Sequence, residues 1–548
     1  MQRAALALSC WICLSRWLAR FLHGERFFAW FALLPLLVGI LRFPEAQAGR
    51  SRRHILVWSF QAGWFSGALW FGSNCYWVYG TMNIYAGMSV PLAAFSLLLF
   101  SLFLGFWFGI FALALALIRM APLSPKSSWL ALAAIPFLWV AMEFAIARIP
   151  SFPWDQLGYS QVDNGLLTPL APLTGVSGIS FLLAAVNALL AAALILKPTA
   201  RRFSPRVACG VAGVTIAAIG MAGLLLKTPQ PPGGTMAMLI QPNLDVASDD
   251  VWVGPDWDRH IRAYQQLAVD PCRTYIAGIP QTGAPSAVFN CGMSALKPSL
   301  VVTPESPAPF RDADPRFRTT MTAFASDARV PMIVGGLGMD LVASGNEYRI
   351  YNSATVIAGD GQFAGRYDKI HLVPFGEYIP FRHLLFFARQ VTQTLSDMSR
   401  GSDRKVFTVG SRRYGIFICY ESVFADEVRQ FAQNGAEVFV NISDDGWYGD
   451  TSAPWQHLNM ARMRAIENRR WILRDTNSGV TASIDPYGAV RQSIPRHRVD
   501  VLPAEYGYST ELTFYTRHGD VFAAVCAILS LALLVWSVRV ILWQQPRP

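Results

Sequence analysis

Three residues in this sequence together offer nucleophilic chemistry: a thiol, a carboxylate and an ammonium. Cys419 closes the run Tyr414-Gly-Ile-Phe-Ile418, whose β-branched and aromatic residues read as a short buried strand. A nucleophile where a strand turns toward helix projects into a cleft with little backbone in the way. A thiol there needs a base to take its proton and a cation to stabilise the charge that develops. Ser299-Leu-Val-Val-Thr-Pro-Glu305 puts a carboxylate at the end of a second apolar strand, and Arg366-Tyr-Asp-Lys-Ile-His-Leu-Val-Pro-Phe-Gly-Glu377 supplies Lys369. Taken singly, Cys419 reads equally well as a small buried hydrophobe, and Glu305 or Lys369 as a surface charge. The combination is what points to catalysis.

The order Glu, Lys, Cys, set in Thr-Pro-Glu305, Lys369-x-His-Leu-Val-Pro-Phe-Gly-Glu377 and Cys419-Tyr-Glu421, resembles the nitrilase superfamily. It resembles more closely the bacterial apolipoprotein N-acyltransferases, over nearly the whole chain. The resemblance implies an α-β-β-α sandwich with Glu305 as general base, Lys369 as oxyanion stabiliser and Cys419 as nucleophile. It implies a second active-site glutamate at Glu377, and roles for Tyr420 and Glu421, whose side chains read equally as structural. The Tyr420 N–H, beside the nucleophile, is a candidate oxyanion donor. The resemblance also implies a substrate-contacting tryptophan after the first strand; Trp252 matches best and Trp257 competes.

The implied reaction is the last acylation of bacterial lipoproteins. A phospholipid, phosphatidylethanolamine by expectation, acylates Cys419, and the amine of an S-diacylglyceryl cysteine accepts the chain. No metal or dissociable cofactor is needed. A membrane-tethered amidase and a non-enzymatic membrane scaffold are the alternatives.

Other polar stretches are weaker signals. Asn441-Ile-Ser-Asp-Asp-Gly-Trp-Tyr-Gly-Asp450 ends another strand; Trp447 and Tyr448 in it are candidate acyl-chain contacts, against the plain reading of a polar turn. His457 lies on a helix over 454–469 and reads as structural, because Glu305 and Lys369 already fill the catalytic roles. Arg462, Arg464 and Glu467 sit at ion-pairing spacings on that helix.

These groups need a scaffold, and its composition is that of a membrane protein. Of 548 residues, 53% are hydrophobic and only 15% charged. A spanning helix takes roughly 20 apolar residues. Eight stretches qualify: 4–22, 27–41, 55–79, 90–118, 129–146, 179–196, 207–226 and 521–543. The N-terminal stretch lacks a clear cleavage site and reads as a retained helix. Basic loops near 49–54, 119–126 and 197–206 alternate with uncharged or acidic ones. The positive-inside rule then puts both termini in the cytoplasm of a bacterial inner-membrane protein. The net charge of +10 is spread over these loops rather than gathered for nucleic acid.

The expected domains are a membrane part over 1–227, a Pro-rich linker over 228–235, an extracytoplasmic α/β part over 236–505 and a C-terminal span over 519–543. Eight cysteines show no metal-ligand spacing. Cys272 and Cys291 flank an apparent insertion and form a candidate disulfide in a compartment that permits one.

Overall fold

The computed structural model describes residues 25–46, 51–121, 126–195, 205–225, 233–244, 257–259, 261–263, 266–267, 298–305, 310–342, 348–378 and 398–543. The 4–22 stretch, Trp252, Cys272 and Cys291 lie outside these residues. The chain divides into two compact units.

The first unit holds the apolar helices α1 (Leu34–Ala46), α2 (Arg52–Asn74), α3 (Val90–Met120), α4 (Lys126–Arg148), α5 (Val176–Ile195), α6 (Pro205–Leu225) and a C-terminal helix, Val521–Trp543. Among the described residues, four are long and apolar enough to cross a membrane: α3, α4 from Trp129, α5 and the C-terminal helix. The stretch 27–41 is not one helix. A turn over 29–33 interrupts it, and α1 has 13 residues, short of a span. Helices α2 and α3 meet through glycines. A Cβ at Gly67 would come within 2.7 Å of Phe108 Cβ, and one at Gly109 within 2.8 Å of the Phe60 ring. Small residues let helix backbones approach where lipid gives no hydrophobic drive.

The second unit comprises residues 80–88 and 229–517. Its strands form two six-stranded sheets in the orders β12-β1-β2-β3-β4-β5 and β11-β10-β9-β8-β7-β6. In the first sheet these are β1 (Thr235–Gln241), β2 (Pro298–Val302), β3 (Met332–Leu341), β4 (Tyr348–Ile357), β5 (Phe363–Asp368) and β12 (Asp500–Tyr506). The second has β6 (Val406–Val409), β7 (Arg412–Ile418), β8 (Val438–Ser443), β9 (Ile472–Thr476), β10 (Thr481–Ile484) and β11 (Val490–Ile494). Both follow one plan. A parallel trio, β1-β2-β3 or β7-β8-β9, carries an antiparallel neighbour on one side and an antiparallel pair on the other.

Strand periodicity sorts the side chains into layers. On β1, Ala237 and Leu239 face the second sheet's apolar residues, among them Ile416 and Val440. Met238 and Ile240 face the other way, against Phe317 and Met321 of α7 (Pro315–Ala328). Helices α8 (Ala425–Gln433) and α9 (Ala453–Asn468) cover the far face of the second sheet through Phe431 and Ala461. The result is the expected α-β-β-α sandwich. Trp257 is buried in the layer facing α7, with the Arg316 guanidinium 4.7 Å from its ring centre. Arg464 pairs with Glu467 at 2.8 Å inside the core, whereas Arg462 donates to Gly488 O at 2.7 Å rather than joining that pair.

Candidate active site

The carboxyl ends of strands from both sheets converge. β2 ends at Val302, and Thr303-Pro-Glu305 carries the chain beyond it. Gly335 leaves room there: a Cβ on it would lie 3.1 Å from Glu305 Cα. β5 delivers Lys369, whose N–H donates to Asn352 O at 2.9 Å. β7 delivers Cys419, and β8 delivers Ser443 and Asp444.

Lys369 Nζ donates to Glu305 Oε1 at 3.0 Å and to Glu377 Oε1 at 2.9 Å. Asn352 Nδ2 donates to the same two oxygens, at 2.7 and 2.6 Å. One ammonium and one amide thus hold two carboxylates together, and all four side chains are buried. The other oxygens are occupied too. Asp444 N–H donates to Glu305 Oε2 at 2.9 Å and Val373 N–H to Glu377 Oε2 at 2.7 Å. Burial works against the Lys369 ammonium, but the charges of Glu305 and Glu377 outweigh it and hold its pKa well above the usual lysine value. It stays a cation.

Cys419 begins a 3-10 turn, Cys419–Val423, with φ of +49°. That left-handed conformation costs a non-glycine residue about 1–2 kcal/mol. Burial pushes the thiol well above the usual cysteine range, and the Glu305 charge adds to this. Lys369 and a hydrogen bond with Ser443 pull the other way. The thiol therefore rests neutral, under the opposed charges of Glu305 and Lys369.

Glu421 ties the Lys369 loop to the strand that leads to Cys419. Its carboxylate accepts from Tyr367 Oη (2.8 and 2.9 Å), Ile370 N (2.6 Å), His371 N (3.2 Å) and Ile418 N (2.7 Å). These partners flank Lys369 on one side and Cys419 on the other. Glu421 is fully buried and occupied, which fits its structural reading.

Of the expected site residues, Glu305, Lys369 and Glu377 meet directly, and Cys419 feels the charges of the first two. Trp447 is 41% exposed, with Tyr85 edge-on to it at 5.5 Å. Tyr448 is buried, its ring 5.9 Å from that of His457. Sequence reasoning missed Asn352. Its signal was the polar pair Asn352-Ser353 inside the otherwise apolar end of β4. His457, read as structural, is fully buried and bonded to the Cys419 carbonyl at 3.0 Å.

A layered sandwich with a thiol, a lysine and two glutamates at its strand ends, in a chain that also carries membrane-length apolar helices, defines a carbon-nitrogen-hydrolase type of domain on a membrane protein. A family model described as Carbon-nitrogen hydrolase matches residues 284–505, and one described as Apolipoprotein N-acyltransferase N-terminal domain matches residues 17–189. The chain is 31% identical to "Apolipoprotein N-acyltransferase" of Geobacter metallireducens, covering 91% of this chain and 88% of that protein. It is 32% identical to the protein of the same name from Pseudomonas paraeruginosa, over 87% and 86%. Among solved structures, Saccharomyces cerevisiae Nit3 of the nitrilase superfamily aligns at 15% identity and a TM-score of 0.37, covering 54% of this chain and 96% of that one. The chain belongs to the apolipoprotein N-acyltransferase family.

Proposed function

We propose that the protein transfers an acyl chain from a phospholipid to the N-terminal amine of an S-diacylglyceryl cysteine on apolipoproteins, through a thioester on Cys419. The observation that carries this reading is the buried Lys369 bound to both Glu305 and Glu377 beside the thiol. Glu305 takes the thiol proton, and the sulfur attacks the ester carbonyl. The Lys369 ammonium and the Tyr420 N–H stabilise the tetrahedral oxyanion. As the carbon–oxygen bond breaks, Glu305 returns the proton to the leaving lysophospholipid. The lipoprotein amine then attacks the thioester and gives a proton to Glu305, which restores the thiol. Glu377 keeps Lys369 in place. A covalent intermediate of this kind predicts ping-pong kinetics.

The apolar helices support a bilayer setting, which suits two lipid-anchored substrates. Exposed Trp447, with Tyr448 beneath it and Trp252, are the acyl-chain contacts of this reading. The alternating loop charges support an inner-membrane protein with cytoplasmic termini and an extracytoplasmic catalytic part.

Mass spectrometry of purified protein incubated with phosphatidylethanolamine tests the chemistry. An acyl adduct on Cys419, discharged by a diacylglyceryl-cysteine peptide, is expected. Discharge to water alone, with release of ammonia from small amides, would make the protein an amidase instead.

A further inference from the structure

The mechanism leaves unused a fully buried polar chain that runs behind the nucleophile. Ser422, Asn441, Ser443, Asp445, His457 and Arg474 are all within the core. His457 Nε2 lies 3.0 Å from Cys419 O and 2.7 Å from Ser422 Oγ. His457 Nδ1 lies 2.9 Å from Asp445 Oδ1 and 3.1 Å from Arg474 Nη2. Arg474 Nη2 donates to Asp445 Oδ2 at 2.7 Å, and Nη1 donates to Asn441 Oδ1. Asn441 Nδ2 in turn donates to Phe417 O at 3.2 Å, two residues before the nucleophile. The chain therefore starts and ends on the segment that presents Cys419.

A serine, histidine and aspartate in this order look like a hydrolase triad, but no substrate reaches them, since all three have no exposed surface. What the chain touches is the main chain of the nucleophile. A carbonyl oxygen only accepts, so Nε2 carries the hydrogen it shares with Cys419 O. Nδ1 faces Asp445 Oδ1 and, slightly farther, Arg474 Nη2. Burial, and after it the Arg474 charge, hold His457 below its usual pKa, while Asp445 and the bond to Cys419 O pull it up. Ionised Asp445 balances Arg474. A side chain at position 479 would strike the Asp445 carboxylate, its Cγ 2.8 Å from the added carbon, so a glycine there keeps the carboxylate's place open.

We propose that His457 is a positioning residue: its Nε2–H bond to the Cys419 carbonyl holds the nucleophile in the left-handed turn from which Sγ faces Glu305 and Lys369. Cys419 needs such a hold because its φ of +49° is one that L residues leave when released. The bond acts on the carbonyl, not on the thiol, so His457 is neither base nor acid in the reaction. This deepens the assignment of Cys419 as nucleophile and does not depend on the identity of the acyl acceptor.

The test is the acylation burst of the full-length detergent-solubilised protein with a p-nitrophenyl acyl ester, read before any amine is added. His457→Leu removes the bond and should slow the burst by roughly 10²-fold, the effect of about 1 Å of misplacement, with an unchanged half-saturating ester concentration. His457→Gln places an amide N–H where Nε2 lay and should recover to within about tenfold of wild type, although glutamine cannot titrate. His457→Asn reaches only the Nδ1 position and should stay slow; it carries the comparison if the leucine variant does not fold. A purely structural role would lower melting temperature while leaving the burst rate of the folded protein intact, and that result overturns the proposal. So does a glutamine variant as slow as the asparagine variant. A wild-type burst without later transfer to a lipopeptide amine overturns the acceptor assignment alone.

Discussion

Replacing Glu421 with glutamine should separate holding the site together from reacting in it. The carboxylate accepts from four donors and offers no hydrogen of its own. Glutamine can keep its oxygen toward Ile370 N and His371 N, and Tyr367 Oη can rotate to accept. Its NH₂ group must then face Ile418 N–H, across what was a 2.7 Å hydrogen bond. One hydrogen bond to a charged group is lost, about 1.5–3 kcal/mol, and a buried N–H is left without an acceptor, about 1–3 kcal/mol. The sum, on the order of 3–5 kcal/mol, corresponds to a melting temperature lower by roughly 10 °C for a domain of this size. The Ile370–His371 main chain, released from Cys419's strand, carries Lys369 with it, and a shift of about 1 Å costs roughly 10²-fold in acylation rate. Calorimetry and the Cys419 acyl-adduct rate should therefore fall together in E421Q. Lost acylation at unchanged stability would refute the argument, because Glu421 would then act on the reacting atoms. So would a variant that melts and reacts like wild type.

Glu305→Gln should abolish thioester formation by removing the base, yet make the thiol easier to ionise. The Glu305 charge raises the Cys419 pKa, so its loss moves the pKa down and the onset of iodoacetamide alkylation to lower pH; an onset that stays or moves up contradicts this. Asn352→Leu leaves Glu305 and Glu377 facing each other with one donor fewer. Acylation should fall by about 10- to 100-fold as the carboxylates part, by about 1.4 kcal/mol per factor of ten, and a wild-type rate would deny Asn352 its place. A reporter inserted near Pro231 should be active only outside the cytoplasm; activity inside would reverse the proposed topology.

Glu305, Lys369 and Cys419 were legible as a candidate site because each ends a short apolar run or stands in a distinctive motif, and strand ends are where side chains enter clefts. Their supports were not. Asn352 shares the buried end of β4 with Ser353, a signal that does not say what it binds, since its partners are 47 and 25 residues away. His457 reads as structural because Glu305 and Lys369 already fill the catalytic roles, and nothing local shows that it bonds to the Cys419 carbonyl, 38 residues distant. Strands β5, β6, β9, β11 and β12 escaped notice: β6, VFTV, is only four residues long, and the others, FAGRYD, ILRDT, VRQSI and DVLPAEY, mix charges, glycine or proline into short runs. Pro503 is tolerated since β12 lies at the edge of its sheet. The two-sheet plan itself rests on pairings no local pattern announces.

One of those pairings bears on timing. β12, the last strand, lies against β1, the first, with Tyr506 opposite Thr235. A chain emerging from its N-terminal end makes Glu305, then Lys369, then Cys419, and only afterwards the edge strand that borders β1. Contacts this distant in sequence form late. An unfinished chain thus carries Glu305, Lys369 and Cys419 without the outermost strand of the first sheet. Truncation ahead of Asp500 should leave β1 as an unpaired edge and lower the stability of the sheet from which Glu305 extends.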